Sequence, residues 1–153
     1  MPMVDQQVRI PDLSARPYEL TVERVMVASA SLLYLAWTRG FDIWFAEPDS
    51  VRMRPEVGEP FYFETVHEGA RQPHYGRFLR LEPDRLVEMT WLSGADGTEG
   101  AETVVTVRFI KQPRGIRLHL HHSGFASEQA RDRHRAAWPA VLERLDQRTA
   151  VAG

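Results

Sequence analysis

Thr103-Val104-Val105-Thr106-Val107-Arg108-Phe109-Ile110 and Ile116-Arg117-Leu118-His119-Leu120-His121-His122, closed by Ser123-Gly124-Phe125, run into a last long stretch that carries Trp138. Val105, Val107 and Phe109 fall on one face of the first segment. Ile116, Leu118 and Leu120 do the same after the turn at Pro113-Arg114-Gly115, which is the period-two pattern of half-buried strands. In the last stretch Trp138, Val141, Leu142 and Leu145 recur at i, i+3, i+4 and i+7, the spacing of a helix with one apolar stripe. Ser127 can cap that helix, and Glu128 suits its first turn. An amphipathic helix that follows an antiparallel run has one large apolar surface to cover, the concave face of the sheet. The expected fold is α+β: a curved antiparallel sheet, a long C-terminal helix across its concave face, and a cavity between them.

Upstream, Tyr18, Leu20 and Val22 alternate with Glu19, Thr21 and Glu23 in a strand reaching about Ala28. Ser29 or Ser31 can cap a short helix through Trp37. After Gly40, residues 41–45 read as a second short helix halted by Pro48. Strand-like runs over 51–54, 61–67, 74–81 and 85–92 follow, each bounded by Pro, Gly or Asp, giving about seven strands in all. Residues 1–16 read as a flexible extension, 17–149 as one domain and 150–153 as a tail.

At 153 residues and 43% hydrophobic content, one domain can build its core without staples. The chain has no cysteine, so disulfides, thiol catalysis and cysteine zinc sites are excluded, and a cytoplasmic setting suits it. With 19 basic and 21 acidic residues well mixed, no footprint for nucleic acid emerges. No run approaches the ~20 apolar residues of a membrane span, and the N-terminus lacks the pattern of a signal peptide. There is no Ser/His/Asp signature, phosphate-binding glycine loop or zinc-protease motif, and no cofactor is expected.

Four local features carry a resemblance: Trp44-Phe45-Ala46-Glu47-Pro48 closing the second helix, Gly76 ahead of Glu82-Pro83, Leu86 to Trp91 ending in Thr90-Trp91, and His122-Ser123-Gly124-Phe125 followed by Trp138. Together with the element order they make the chain resemble the helix-grip fold of the START-like (SRPBCC) superfamily, in its branch of heat-shock-protein-90 ATPase activator homologues. The resemblance spans roughly Pro17 to Gln147. It departs at Ala137, where the branch usually has glycine before the tryptophan. It implies an incomplete sheet around the C-terminal helix and a pocket between the two. It implies little about activity, because that branch consists mostly of ligand binders and proteins without assigned function. The activator proper has a second domain that this sequence does not contain.

On this reading the cavity is lined by Phe61, Phe63, Arg77, Leu79, Val87, Met89, Trp91, Val105, Val107, Leu118, Leu120, Trp138 and Leu142. Tyr75 and Arg77 share the parity of Leu79 and Leu81 and are expected to point inward, where Arg77 must meet an anion, either Glu64 or a ligand carboxylate. His119 and His121 sit at i and i+2, a spacing zinc could bridge, but on the outward face with no third ligand, so no metal is expected. His122 has inward parity. His134, one turn before Trp138, could point into the cavity as a general base. The preferred function is binding of a small hydrophobic or amphipathic molecule. The alternatives are a cofactor-free cyclase, dehydratase or hydrolase using His134, Tyr75 and Arg77, and a protein-interaction module of co-chaperone type. A homodimer is compatible with the sequence on general grounds.

Overall fold

Alternation of burial is strict along most of the last strand, which lies second from one edge of the sheet. The inward residues of the final strand, Ile116, Leu118, Leu120 and His122, are all buried, whereas Arg117, His119 and His121 between them are partly exposed. The computed structural model describes residues 8–94 and 97–152. Its elements are β1 (Tyr18–Met26), α1 (Ala30–Thr38), α2 (Phe41–Trp44), β2 (Pro60–His67), β3 (Ala70–Glu82), β4 (Leu86–Ser93), β5 (Thr103–Lys111), β6 (Ile116–Phe125) and α3 (Glu128–Ala152). The sheet is antiparallel throughout and ordered β1-β6-β5-β4-β3-β2. Consecutive strands β1 and β2 therefore lie at opposite edges, and the chain crosses between them through α1 and α2.

The sheet has six strands, not about seven. Residues 51–54 contribute a single bridge, between Arg52 and Tyr62. Pro48 and Pro55 flank the segment and Asp49 takes a left-handed φ of 73°, so no ladder can extend beyond that pair. The short helices form as expected. The Ser29 side chain accepts from Leu32 N–H at 3.1 Å to cap α1, and Gly40 precedes α2.

α3 begins with the Ser127 hydroxyl accepting from Ala130 N–H at 3.1 Å. It continues past Pro139 to Ala152, and Gly153 of the expected tail lies outside the described residues. Its buried stripe is Ala130, Trp138, Leu142, Leu145 and Thr149. Asp146 fixes its far half to β1, accepting from Arg24 Nε at 3.1 Å and from Val27 N–H at 3.0 Å. Of the expected extension, residues 1–7 lie outside the described part. Arg16 is tied down, donating to the carbonyls of Gly124 and Glu102 at 2.7 Å each.

One irregularity decides which side chains face the hollow. In β3, Phe78 pairs with Met89 but Arg80 pairs with Glu88, so Leu79 is an extra residue against β4. A bulge of one residue reverses side-chain parity along the strand. Phe78 and Leu81 thus both reach the core, while Tyr75 and Arg77 turn to the other face.

Candidate functional site

The middle of the hollow is filled. Phe61, Phe63, Val87, Met89, Val105, Val107, Leu118, Leu120 and Leu142 are buried core residues. Trp37, Phe41, Trp44, Phe63 and Trp91 interlock there, with Phe41 stacked on Phe63 at 4.7 Å between centroids. The sheet is left open at one end, where the first half of α3 passes over the β2–β3 hairpin and the end of β4. A cavity of about 280 Å3 lies there. Phe45, Trp91, Trp138, Ala137 and Val141 supply its apolar wall, and Thr65, His67, Gln72, His74, Ser93, Arg133 and His134 its polar groups. A second depression of about 780 Å3, beside Ala30, Glu82–Leu86 and Arg108–Lys111, is a charged surface groove with one buried aromatic, Phe109, at its floor.

Three imidazoles meet around the cavity. His122 is fully buried behind it and belongs to a directed chain of hydrogen bonds. Trp138 Nε1–H donates to His122 Nδ1 at 3.1 Å, which leaves the His122 proton on Nε2, facing the Thr103 hydroxyl at 2.8 Å. The Thr103 hydroxyl in turn donates to the Trp91 carbonyl. Every member has one consistent role, so the two tryptophans of the cavity wall are linked through a neutral histidine. Burial, reinforced by His134 and His121, holds His122 well below the ordinary imidazole range.

His134 stands one turn before Trp138, its ring 5.0 Å from that of His122. Its Nδ1–H donates to the Ala130 carbonyl at 2.8 Å, which leaves Nε2 as the acceptor. Burial lowers its basicity, with the Ala130 bond opposing that effect and Arg133 adding to it. His74 comes from the sheet side. Its ring stacks on Phe63 at 5.0 Å and lies 5.5 Å from Trp91. Its Nε2 meets the Thr65 hydroxyl at 3.1 Å, while Nδ1 is buried with no partner among the described residues. Burial, with His134 beside it, pushes the His74 imidazole down to about 4. At neutral pH all three rings are uncharged.

Of the residues expected to line the cavity, Trp91 and Trp138 do so, and His134 joins them. Phe61, Phe63, Val87, Met89, Val105, Val107, Leu118, Leu120 and Leu142 are packed behind it, and Leu79 is buried at the bulge. The inward direction read for Tyr75 and Arg77 is corrected by that bulge: Tyr75 is 42% exposed, and neither residue lines the cavity. The anion beside Arg77 is Glu102, at 3.6 Å. Glu64 is taken instead by Arg71 Nη1 at 2.6 Å and the Tyr62 hydroxyl at 2.7 Å. His119 and His121 lie on the outer face, within 3.7 Å of Glu23 and 3.2 Å of Glu19 respectively. No group of metal-ligating side chains able to hold an ion occurs among the described residues.

Sequence reasoning passed over His74, Thr65, Arg133 and Ala137. The available signal was the adjacent apolar pair Phe78-Leu79 in an otherwise alternating strand, which marks a bulge and puts His74 on the inward face.

A six-stranded antiparallel sheet curled around a long C-terminal helix, with two short helices at the crossover and a cavity beside the helix, defines a helix-grip protein of the START-like class. Residues 27–150 match the family described as activator of Hsp90 ATPase homolog 1-like protein, and the chain belongs to that family. Among solved structures, it is similar to protein MLL2253 from Mesorhizobium loti, with 25% identity over 88% of this chain and 98% of the other and a TM-score of 0.72. It is equally similar to the AHSA1 (SPO3351) protein from Silicibacter pomeroyi, with 25% identity, 88% and 99% coverage and a TM-score of 0.72. Protein CV1439 from Chromobacterium violaceum shares the fold at 18% identity, covering 87% of this chain and 98% of that one with a TM-score of 0.74. No curated protein matches the sequence. Among the described residues no helix is long and apolar enough to cross a membrane.

Proposed function

We propose that the protein binds a small apolar or amphipathic molecule in the cavity between α3, the β2–β3 hairpin and the end of β4. The observation that carries this reading is the cavity itself: tryptophan and phenylalanine walls around the buried, uncharged imidazoles of His74 and His134, opening to solvent at the end of an otherwise solid core. Its size suits a molecule of one or two rings. The cysteine-free sequence supports a cytoplasmic setting, and neither nucleic acid nor cofactor enters the proposal.

Ala137 offers the cleanest test, because it borders the cavity from the solvent side of α3 and supports nothing in the core. Ala137→Trp is expected to fill the space and abolish uptake of prodan, an uncharged two-ring fluorophore. Stability should change by less than about 1 kcal/mol, as for other surface substitutions. Unchanged prodan binding in this variant would remove the cavity as the binding site. Native mass spectrometry of protein purified without denaturation then tests for a natural ligand.

One observation favours a second reading. His134 Nε2 is a free base inside the cavity, oriented by the Nδ1–H bond to Ala130, as a general base in a cofactor-free enzyme has to be. Tyr75 and Arg77 are too far outside to assist. Turnover of a bound molecule whose pH–rate profile loses a limb in His134→Ala would favour the enzyme, and its absence the binder.

A further inference from the structure

We propose that the cavity selects an uncharged aromatic molecule bearing one hydroxyl, with its ring against Trp91, Trp138 and Phe45 and its hydroxyl donating to an imidazole of the polar wall. The inference rests on the cavity-binding reading and adds the ligand's charge and its polar group.

Charge is decided by what the described lining residues offer. Arg133 is the only guanidinium, and its charge is already balanced: Nη2 donates to the Gly97 carbonyl at 3.0 Å and to the Glu99 carboxylate at 3.2 Å. A ligand carboxylate entering the cavity would lose its water and have to compete with Glu99 for that cation, which is costly. The buried imidazoles supply no compensating charge, since protonating either His74 or His134 is opposed by burial, and His67, at the exposed rim, already faces the Glu68 carboxylate at 3.9 Å. A ligand cation fares no better, because no described carboxylate lines the space.

The polar group is decided by His134. Its Nδ1 is committed to Ala130, so Nε2 accepts, and it has no partner among the described residues. His74 Nδ1 is also without a partner but is closed off from the cavity, so His134 Nε2 is the acceptor a ligand hydroxyl reaches. A hydroxyl donating to it gains about 1 kcal/mol net. A bare hydrocarbon leaves the nitrogen as it is. The flanking aromatic side chains favour a flat ring over an aliphatic chain, since ring pairs gain from stacked and edge-on contacts.

Three probes of one shape separate these terms: 1-naphthol, naphthalene and 1-naphthoate, titrated at pH 7.5 against the wild-type protein and followed by the tryptophan indole N–H signals in NMR. The expected order is 1-naphthol about tenfold tighter than naphthalene, the value of one buried hydrogen bond, and 1-naphthoate weaker than both. In His134→Phe the advantage of naphthol over naphthalene should shrink to within twofold, with naphthalene itself still bound, whereas His74→Phe should retain it. Naphthoate binding as tightly as naphthol, or naphthalene equalling naphthol in the wild type, overturns the inference and leaves the binding function standing. Failure of all three probes to bind overturns both. The wild-type ranking decides the matter even if a histidine variant does not fold.

Discussion

The indole N–H of Trp138 has one acceptor, His122 Nδ1, in a place water does not reach. That makes His122 the residue on which the shape of the cavity wall depends, although it does not line the cavity. Its ring sets the orientation of Trp138 on one side and, through Thr103, is tied to the Trp91 strand on the other. His122→Phe keeps a ring of similar size but strands the indole donor and removes a partner of Thr103. Leaving such groups unpaired in the interior costs about 3 kcal/mol in total. The expected outcome is a loss of that size in urea unfolding, with Trp138 mispositioned and prodan affinity reduced. A change below about 0.5 kcal/mol, the range of surface substitutions, would mean that the chain of hydrogen bonds contributes nothing net.

At the scale of elements, β3 is where strand geometry and site geometry meet. Gly76 lies so close to β4 that a Cβ there would sit 2.1 Å from the Thr90 carbonyl oxygen, and Arg77 N–H donates to the Thr90 hydroxyl at 2.9 Å. Gly76→Ala has to push the two strands apart just before the bulge. It is expected to destabilise the fold by about 3 kcal/mol, the upper range of overpacking, and to displace His74 two residues away. Thermal unfolding measures the first effect and the NMR shift of the His74 ring the second. The same strand shows what the sequence could reveal. Alternation in β6 and the stripe of α3 are readable because each is a sustained period, and Val105, Val107 and Phe109 mark β5 although Thr103 to Val107 are all buried; from these the fold follows. The Ser29 and Ser127 caps were equally readable, being local chemistry. Tyr75 and Arg77 were misdirected because a single inserted residue, Leu79, shifts everything before it to the opposite face, and only the Phe78-Leu79 pair betrays it. The extent of the cavity was not readable at all. Whether Phe61, Phe63 and Met89 line a hollow or fill it depends on how aromatic rings from α1 and α2 interlock with them, and no periodicity encodes that.

For the molecule as a whole, the consequence of gathering His74, His122 and His134 at one end is a dependence of stability on acid. Each has its folded-state affinity for protons lowered, chiefly by burial. The unfolded chain titrates these rings near the ordinary histidine value of about 6.5, so below that pH it binds more protons than the folded state. Stability is therefore full above about pH 6.5 and is lost as pH falls; for His74 the loss continues down to about pH 4 and then levels off. A displacement of that size in one histidine corresponds to roughly 3 kcal/mol. The three contributions do not simply add, because a proton on His134 makes protonating His74 and His122 harder. Urea unfolding at pH 7.5, 6.5, 5.5 and 4.5 is expected to show a monotonic decline, steepest between the last three. His74→Phe should flatten part of that slope while leaving the remainder, which belongs to His122 and His134. A wild-type stability constant from pH 7.5 to 4.5 would show that these imidazoles reach solvent when protonated, and with that the uncharged character of the three rings would be lost.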